Sequence, residues 1–355
     1  MHITINNRKI GPDHPVYIIA EMSANHHQDF HQAVRILEAA KAAGADAVKL
    51  QTYTPDTLTL DCDNAYFRIK GTIWEGKNLH QLYGEAFTPW EWQPKLKDIA
   101  DQLGLDLFST PFDDSAVDFL EQMGVPAHKV ASFEIVDSAL LRKIGTTGKP
   151  VILSTGMASL REIDEAVSLL QNAGTTDIAL LKCTSAYPAA PEDMNLRTIP
   201  HLSHAFGLPA GLSDHTTGIA APVAAVALGA CIIEKHLTLS RADKGPDSAF
   251  SLEPAEFQSM VTAVREAQKA LGRICYTLSE KEAASRIFRR SLFVVRDMKA
   301  GEEFTEKTVR SIRPGYGLHP RYLDTILGRR SSCTIEKGTP LDWTHVGAAS
   351  PHSPE

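Results

Sequence analysis

The stretch AGLSDHTTGIAAPVAAVALGACIIEKHL, residues 210–237, decides the fold. Its ends, AGLSDHT (210–216) and CIIEKHL (231–237), are apolar runs that open into polar residues, and GIAAPVAAVALGA (218–230) between them is helix-like. A strand, a helix and a second strand in this order imply parallel pairing through a right-handed crossover. Alternate residues of a strand point the same way. Ser213 therefore shares a face with His215, and Glu234 with His236. Two such strands side by side bring both imidazoles to one rim, the way a divalent metal site is built on a parallel barrel.

The same unit repeats toward the N-terminus. Apolar runs occur at VYIIAE (16–21), AVKLQ (47–51), DLFSTP (106–111), HKVAS (128–132), PVILST (150–155) and IALLKCTS (178–185), which with the first two makes eight. Helix-like segments lie between and after them, among them 30–45, 114–124, 159–174 and 253–272. Continuous rather than alternating apolar runs suit strands covered on both faces. The expected class is α/β, a (β/α)8 TIM barrel, whose usual length is about 250 residues. An open doubly wound sheet is the alternative, but EMSANHHQ stands where a Gly-rich phosphate loop would follow the first strand.

Two segments leave the repeat. Residues 52–89 show no clear helix, yet contain Tyr53, Tyr66, Phe67, Trp74, Tyr83 and Phe87, and ordered loops of such length are usually functional. From Leu278 the chain turns to short strands with Gly/Pro turns. The expected division is a barrel over 1–276, a polar linker over 277–288, a small domain over 289–346 and a loose tail over 347–355.

Composition narrows the function. A formal net charge of -7 gives no basic field for nucleic acid or an anionic membrane. Five cysteines without metal-finger or disulfide spacing, no apolar run of membrane-spanning length and no signal-like N-terminus lead to a cytoplasmic expectation. Cys183 and Cys231, in apolar runs, read as small buried residues.

In a barrel of this kind the active site forms at the carboxyl ends of the strands, and here each run ends in hydrogen-bonding or reactive groups. Lys49 and Lys129 with hydroxyls at Thr110, Ser132, Ser154 and Ser213 suit a compact anion such as a phosphate ester. Either lysine is alternatively the Schiff-base nucleophile of a pyruvate aldolase. Two imidazoles, His215 and His236, leave positions open for water and a substrate oxygen, which suits a Lewis-acid ion such as Mn2+ or Mg2+. His26 and His27 are expected in a loop at the first strand's mouth, and His201 and His204 on a solvated stretch. A third reading makes the protein a non-catalytic sugar-binding module.

The blocks EMSANH (21–26), KLQ (49–51), FSTPFD (108–113), KVAS (129–132), LSTGM (153–157), SDHT (213–216), EKHLTL (234–239), KGPDSAFSLEP (244–254) and SIRPGYG (311–317) together resemble the sialic acid synthase family over almost the whole chain. The resemblance implies a TIM barrel followed by an antifreeze-like, or SAF, domain. It implies condensation of phosphoenolpyruvate with an open-chain amino sugar, dependent on Mn2+ with Mg2+ or Co2+ as alternatives. His215 and His236 would be the metal ligands and Glu21 the essential carboxylate. Lys49, Gln51, Thr110, Lys129, Ser132, Ser154, Ser185 and Ser213 would lie at the substrates. Tyr187, Glu234 and Asp247 would line the sugar pocket. Arg313 would reach the active site of a partner subunit in a domain-swapped homodimer. Apart from the resemblance, Trp74 or a loop neighbour is expected to contact a sugar of low polarity.

GTIWEGK (71–77), EAFTPWEWQ (85–93), the altered first-strand motif and Ser248 in place of a His are most similar to the branch that takes 2,4-diacetamido-2,4,6-trideoxy-L-altrose. N-acetylmannosamine, or the mannose-configured diacetamido sugar that yields legionaminic acid, is the alternative within the family.

Overall fold

A computed structural model describes residues 1–347. Eight parallel strands close into a barrel in the order β10-β3-β4-β5-β6-β7-β8-β9. They are β3 (Tyr17–Glu21), β4 (Ala47–Thr52), β5 (Asp106–Pro111), β6 (His128–Val130), β7 (Val151–Ser154), β8 (Ile178–Cys183), β9 (Ala210–Asp214) and β10 (Ile232–His236). Apart from Thr52 at the end of β4, each lies within a run read from the sequence, and the barrel expectation holds. Closure joins β10 to β3, with His236 in register with Glu21 and Glu234 with Ile19. On the other side of β10, Glu234 pairs with Ser213 of β9.

The helices form the outer layer: α1 (Phe30–Ala43) after β3; α2 (Pro55–Leu58), α3 (Leu79–Ala86) and α4 (Gln93–Leu103) after β4; α5 (Asp114–Met123) after β5. They continue with α6 (Ser138–Gly145), α7 (Leu160–Ala173), α8 (Thr198–Phe206), α9 (Ala220–Ala227) and α10 (Pro254–Leu271), each after the next strand in turn. Their starts are chemically marked. The Asp29, Asp113, Asp137 and Ser159 side chains accept from first-turn amides of α1, α5, α6 and α7, satisfying donors that the helix itself cannot. The main core, including Ile36, Leu37, Val48, Leu107, Leu141, Leu153, Leu180 and Phe257, lies between barrel and helices.

Two features differ from the sequence expectation. The first ten residues form a hairpin, β1 (Ile3–Ile5) and β2 (Arg8–Ile10), turned by Asn6 and Asn7 at φ 47° and 64°. Paired left-handed residues make the tight turn that matches strand twist. Ile3, Ile5 and Ile10 pack with Tyr17, Ile19, Phe108 and Ile232 of the barrel strands. The Thr4 amide donates to Asp177 at 2.9 Å, and Arg8 pairs with Asp46, so the hairpin stops the amino end of the barrel.

The second concerns 52–89, which does hold helices. Thr54 with Thr57 and Asn78 with Gln81 form reciprocal capping boxes at the starts of α2 and α3. Caps of this kind stabilise helices too short to show a clear hydrophobic period. His201 and His204 lie exposed on α8, in keeping with the solvated stretch expected for them.

A second compact unit begins at Arg273. The expected linker carries α11 (Glu280–Ser285), started by a Ser279–Glu282 capping box. Within this unit β11 (Ser291–Val294) pairs antiparallel with β12 (Val309–Ile312). Its own core is Leu292, Val294, Met298, Phe304, Val309, Ile326, Ile335 and Leu341, and α12 (Leu323–Ile326) contributes the last turn. All of the expected tail except Gly347 lies outside the described residues. Among the described residues no helix is long and apolar enough to cross a membrane.

Candidate active site

At the carboxyl end of the barrel lies a cavity of about 470 Å³, inside the usual range of about 300–1,000 Å³ for small-molecule sites. A second hollow of about 390 Å³ lies at the start of α8, lined by Asn195, Leu196, Arg197, Thr198 and His201, and shares none of the groups described next.

The centre of the floor is an ion triad. Lys49 Nζ of β4 stands 2.8 Å from Glu21 Oε2 of β3 and 2.9 Å from Glu234 Oε1 of β10. All three are at most 5% exposed. Burial lowers the Lys49 ammonium to about 8, with Glu234 partly offsetting it, so Lys49 remains protonated at neutral pH. Burial alone would raise Glu234, but Lys129 and Lys49 hold it well below the usual carboxylate range, and Ser213 Oγ donates to it at 2.9 Å. Glu21 Oε1 accepts from the Ser23 amide at 3.0 Å and from Gln51 Nε2 at 3.2 Å. The carboxylate is thereby fixed in orientation and kept acceptor-only.

Beside it is a second cationic centre. Lys129 Nζ of β6 donates to Ser154 Oγ of β7 at 2.6 Å and to the Val130 carbonyl at 2.9 Å. Ser132 Oγ accepts the Gly156 amide at 3.0 Å. A side chain at 156 would put its Cβ 2.7 Å from Ser132 Oγ and closer still to Ser185 Oγ. Glycine is therefore what lets the backbone approach this wall. Thr110 Oγ1 is buried without a hydrogen-bond partner among the described residues. Two lysines, free hydroxyls and a close backbone amide make an anion cradle.

On the far side, the His215 and His236 ring centroids are 5.3 Å apart. His215 Nδ1 lies 3.0 Å from the Thr184 carbonyl, which sets that nitrogen as the donor and leaves the lone pair on Nε2. His236 Nδ1 is buried without a partner, and burial together with His215 lowers its pKa well below the ordinary range, so the ring is neutral. Burial alone would lower the His215 pKa, but Cys183, the Thr184 carbonyl and Glu234 raise it, so the proton on Nε2 of the charged ring is the one a metal would displace. With that nitrogen free, the two imidazoles fit one divalent first-row ion. Among the described residues no third His, Cys, Asp or Glu completes a cluster with them. The rest of a coordination sphere would be water or substrate oxygen.

Aromatic side chains wall this corner. Tyr187 lies 4.4 Å from His215 and 5.1 Å from Phe250, and Phe250 lies 5.0 Å from His236. Trp74 stands 5.9 Å from Tyr187 and donates its Nε1 hydrogen to the Pro246 carbonyl at 2.9 Å. The excursion after β4 thus reaches across to the loops after β8 and β10. Next to Pro246, Asp247 accepts from Ser23 Oγ and from the Ala24 amide at 3.4 Å.

Of the residues expected at the metal and the substrates, all but two line this one cavity. Ser185 stands behind the wall at Gly156, and Arg313 belongs to the C-terminal unit, in the loop after β12. Ser248 is buried and braces Gly245 and Asn25 without lining the cavity. His26 is not a mouth residue: it is buried in a turn over Ser23–His26, 3.2 Å from Thr88 Oγ1 and edge-on to Trp92.

Ser23, Glu134 and Cys183 also line the cavity, although none of them was expected at the site. Glu134 is pushed up to about 7 by burial, despite an opposing hydrogen bond from its own backbone and the charge of Lys129. Its signal was its place just past the end of β6. Cys183 lies 4.0 Å from His215 Nδ1; burial alone would raise the thiol, but His215 brings it down to about 7.

Residues 36–276 match the NeuB family and residues 289–347 the SAF domain. The pseudaminic acid synthase of Campylobacter jejuni subsp. jejuni serotype O:23/36 (strain 81-176) is 46% identical over 93% of this chain and 96% of its own. That of Helicobacter pylori (strain ATCC 700392 / 26695) is 45% identical over 92% and 96%. Among solved structures, the N-acetylneuraminic acid synthetase of Leptospira borgpetersenii serovar Hardjo-bovis in complex with citrate superposes with a TM-score of 0.72 at 35% identity, covering 80% of this chain and 95% of its own.

Proposed function

The chain belongs to the NeuB family, and from that premise we propose that it is a pseudaminic acid synthase, condensing phosphoenolpyruvate with 2,4-diacetamido-2,4,6-trideoxy-L-altrose and water to give pseudaminic acid and phosphate. The single observation that carries this reading is one cavity holding an anion cradle, an oriented carboxylate and a pair of adjacent buried imidazoles, in a chain 46% identical to a pseudaminic acid synthase.

Lys129, Ser154, Ser132 and Thr110 bind the phosphate and carboxylate of phosphoenolpyruvate, with Lys49 adding charge from the floor. His215 and His236 would hold Mn2+, or Mg2+ or Co2+ in its place, which supplies Lewis-acid polarisation of the sugar aldehyde. The phosphoenolpyruvate methylene carbon then bonds to the aldehyde carbon, and positive charge develops at the pyruvyl C2 beside the bound anion groups. Water adds at C2, Glu21 accepts its proton, and the resulting tetrahedral carbon expels phosphate by C–O cleavage. Glu21 is suited to this because Gln51, Ser23 and Lys49 fix it as an ionised acceptor. The aromatic wall of Tyr187, Phe250 and Trp74 excludes water from the aldehyde side.

A Schiff-base aldolase needs a neutral amine. Lys49 lies between two carboxylates, which favours its ammonium form, and the Lys129 amine is committed to a carbonyl and a hydroxyl rather than free to attack.

The test is incubation of chelator-stripped protein, with and without added Mn2+, with phosphoenolpyruvate and each of three sugars: the diacetamido altrose, its mannose-configured isomer and N-acetylmannosamine. Metal-dependent phosphate release and a nine-carbon product with the altrose sugar are expected. Turnover of N-acetylmannosamine alone would move the protein to the sialic acid branch, and turnover of the mannose isomer alone to the legionaminic branch. Borohydride trapping of pyruvate would instead indicate the aldolase, and sugar binding without turnover the non-catalytic reading.

A further inference from the structure

The cavity divides by chemistry according to which element supplies its wall. Strand ends and the loops just past them supply the ionised groups and most hydroxyls, whereas the excursion after β4 supplies mainly apolar surface, Leu58, Ile69, Leu79 and Leu82 beside Thr72 and Tyr83, with no charged side chain from 55–86 reaching the lining. Phe112, just past β5, completes this side. Tyr53 clamps it from behind, edge-on to Tyr83 at 5.6 Å and to Phe112 at 5.1 Å.

Such a group is usually a small satellite core under a long loop. Leu58, Ile69 and Leu79, however, are only half-buried, whereas the residues of the true core are near zero exposure. Their remaining apolar surface faces the cavity.

The position of this recess is set by the barrel. In the closed order, β5 lies halfway round from β9, which carries His215 at its end. A sugar whose aldehyde sits at the imidazole pair therefore runs with its far end, C6, toward the loops after β4 and β5. That end meets alkyl and ring surface, where a methyl group is favoured and a hydroxyl loses its hydrogen bonds to water.

We propose that the recess of Leu58, Ile69, Leu79, Leu82 and Phe112 is the sub-site for C6 of the acceptor and selects a 6-deoxy sugar over its 6-hydroxy counterpart. This rests on the condensation reading above and adds to it the residues that choose the sugar. A hydrophobic pocket rejects an added hydroxyl by no more than about 100-fold, and one alkyl group is worth about 10- to 200-fold. A preference of about 10- to 100-fold in kcat/KM is therefore the scale to look for.

The experiment compares kcat/KM for 2,4-diacetamido-2,4,6-trideoxy-L-altrose and its 6-hydroxy counterpart in the wild type, Leu58→Thr, Ile69→Thr and Leu58→Met. The wild type and Leu58→Met are expected to favour the 6-deoxy sugar by about 10-fold or more. The two threonine variants are expected to lose most of that preference through a raised KM for the 6-deoxy sugar, with the KM for phosphoenolpyruvate unmoved. Threonine variants that keep the wild-type preference would overturn the recess alone, leaving the substrate reading intact. A wild type blind to the 6-hydroxyl would overturn it as well. Phosphate release with N-acetylmannosamine but with neither diacetamido sugar would overturn the recess and the substrate reading together.

Discussion

Two carboxyl groups take opposite parts at the residue scale. Glu21 is an oriented acceptor, and Glu21→Gln keeps the shape and the contacts to Ser23 and Gln51 while removing the base. A loss in kcat of about 10²- to 10⁴-fold is expected, with little change in the KM for phosphoenolpyruvate, measured by steady-state phosphate release. Glu134 behaves in the opposite way. Its folded-state pKa of about 7 lies above the ordinary 4.5, so the folded protein binds more protons than the unfolded chain between those values. Stability therefore falls as pH rises through that window, and the penalty is complete above it. At one pH unit per 1.36 kcal/mol this amounts to at most about 3 kcal/mol. Glu134→Gln removes it. The variant should melt a few degrees above the wild type at pH 8 and converge with it near pH 4, in a pH series of thermal melts. The roles of Glu21, His215 and His236 were legible because strand alternation places them. Glu134 was not, because nothing in a lone Glu after a strand announces that burial will shift it.

Among elements, the excursion between β4 and α4 is where sequence and structure part. Eight apolar runs were sufficient to place eight strands, since each must be buried on both faces and has no other use for so much branched alkyl surface. The helices of the excursion depend instead on caps. Asn78 Oδ1 accepts the Gln81 amide at 2.8 Å, and its Nδ2 donates to Asp63 at 2.8 Å. Asn78→Ala should weaken α3 by about 1 kcal/mol. Faster amide exchange confined to 79–86 and a raised KM for the sugar, without change in that for phosphoenolpyruvate, are the expected readings. The hairpin at the N-terminus was missed for a similar reason. Two short strands carry little pattern, and the Asn-Asn turn has to be read for its backbone conformation rather than its polarity.

For the whole molecule, the two units and their families follow from the chain's order of motifs, whereas assembly does not. Arg313 lies in the C-terminal unit, and the expectation from the family resemblance, that it serves the barrel of a partner subunit in a domain-swapped homodimer, is open to a direct test. Glu21→Gln and Arg313→Ala proteins, each inactive alone, should regain activity when coexpressed, because a mixed dimer pairs an intact barrel with an intact arginine. Absence of recovery, with mixed dimers demonstrated by differential tagging, would place Arg313 outside the site. Closure of the barrel has a temporal side too. Glu21 opens the barrel sequence and His236 ends it, yet the two are neighbours in register across β3 and β10. Contacts so distant along the chain form late. A ribosome must have released the tenth strand before the nascent protein holds any of this chemistry, so truncated products of interrupted synthesis are inert toward phosphoenolpyruvate.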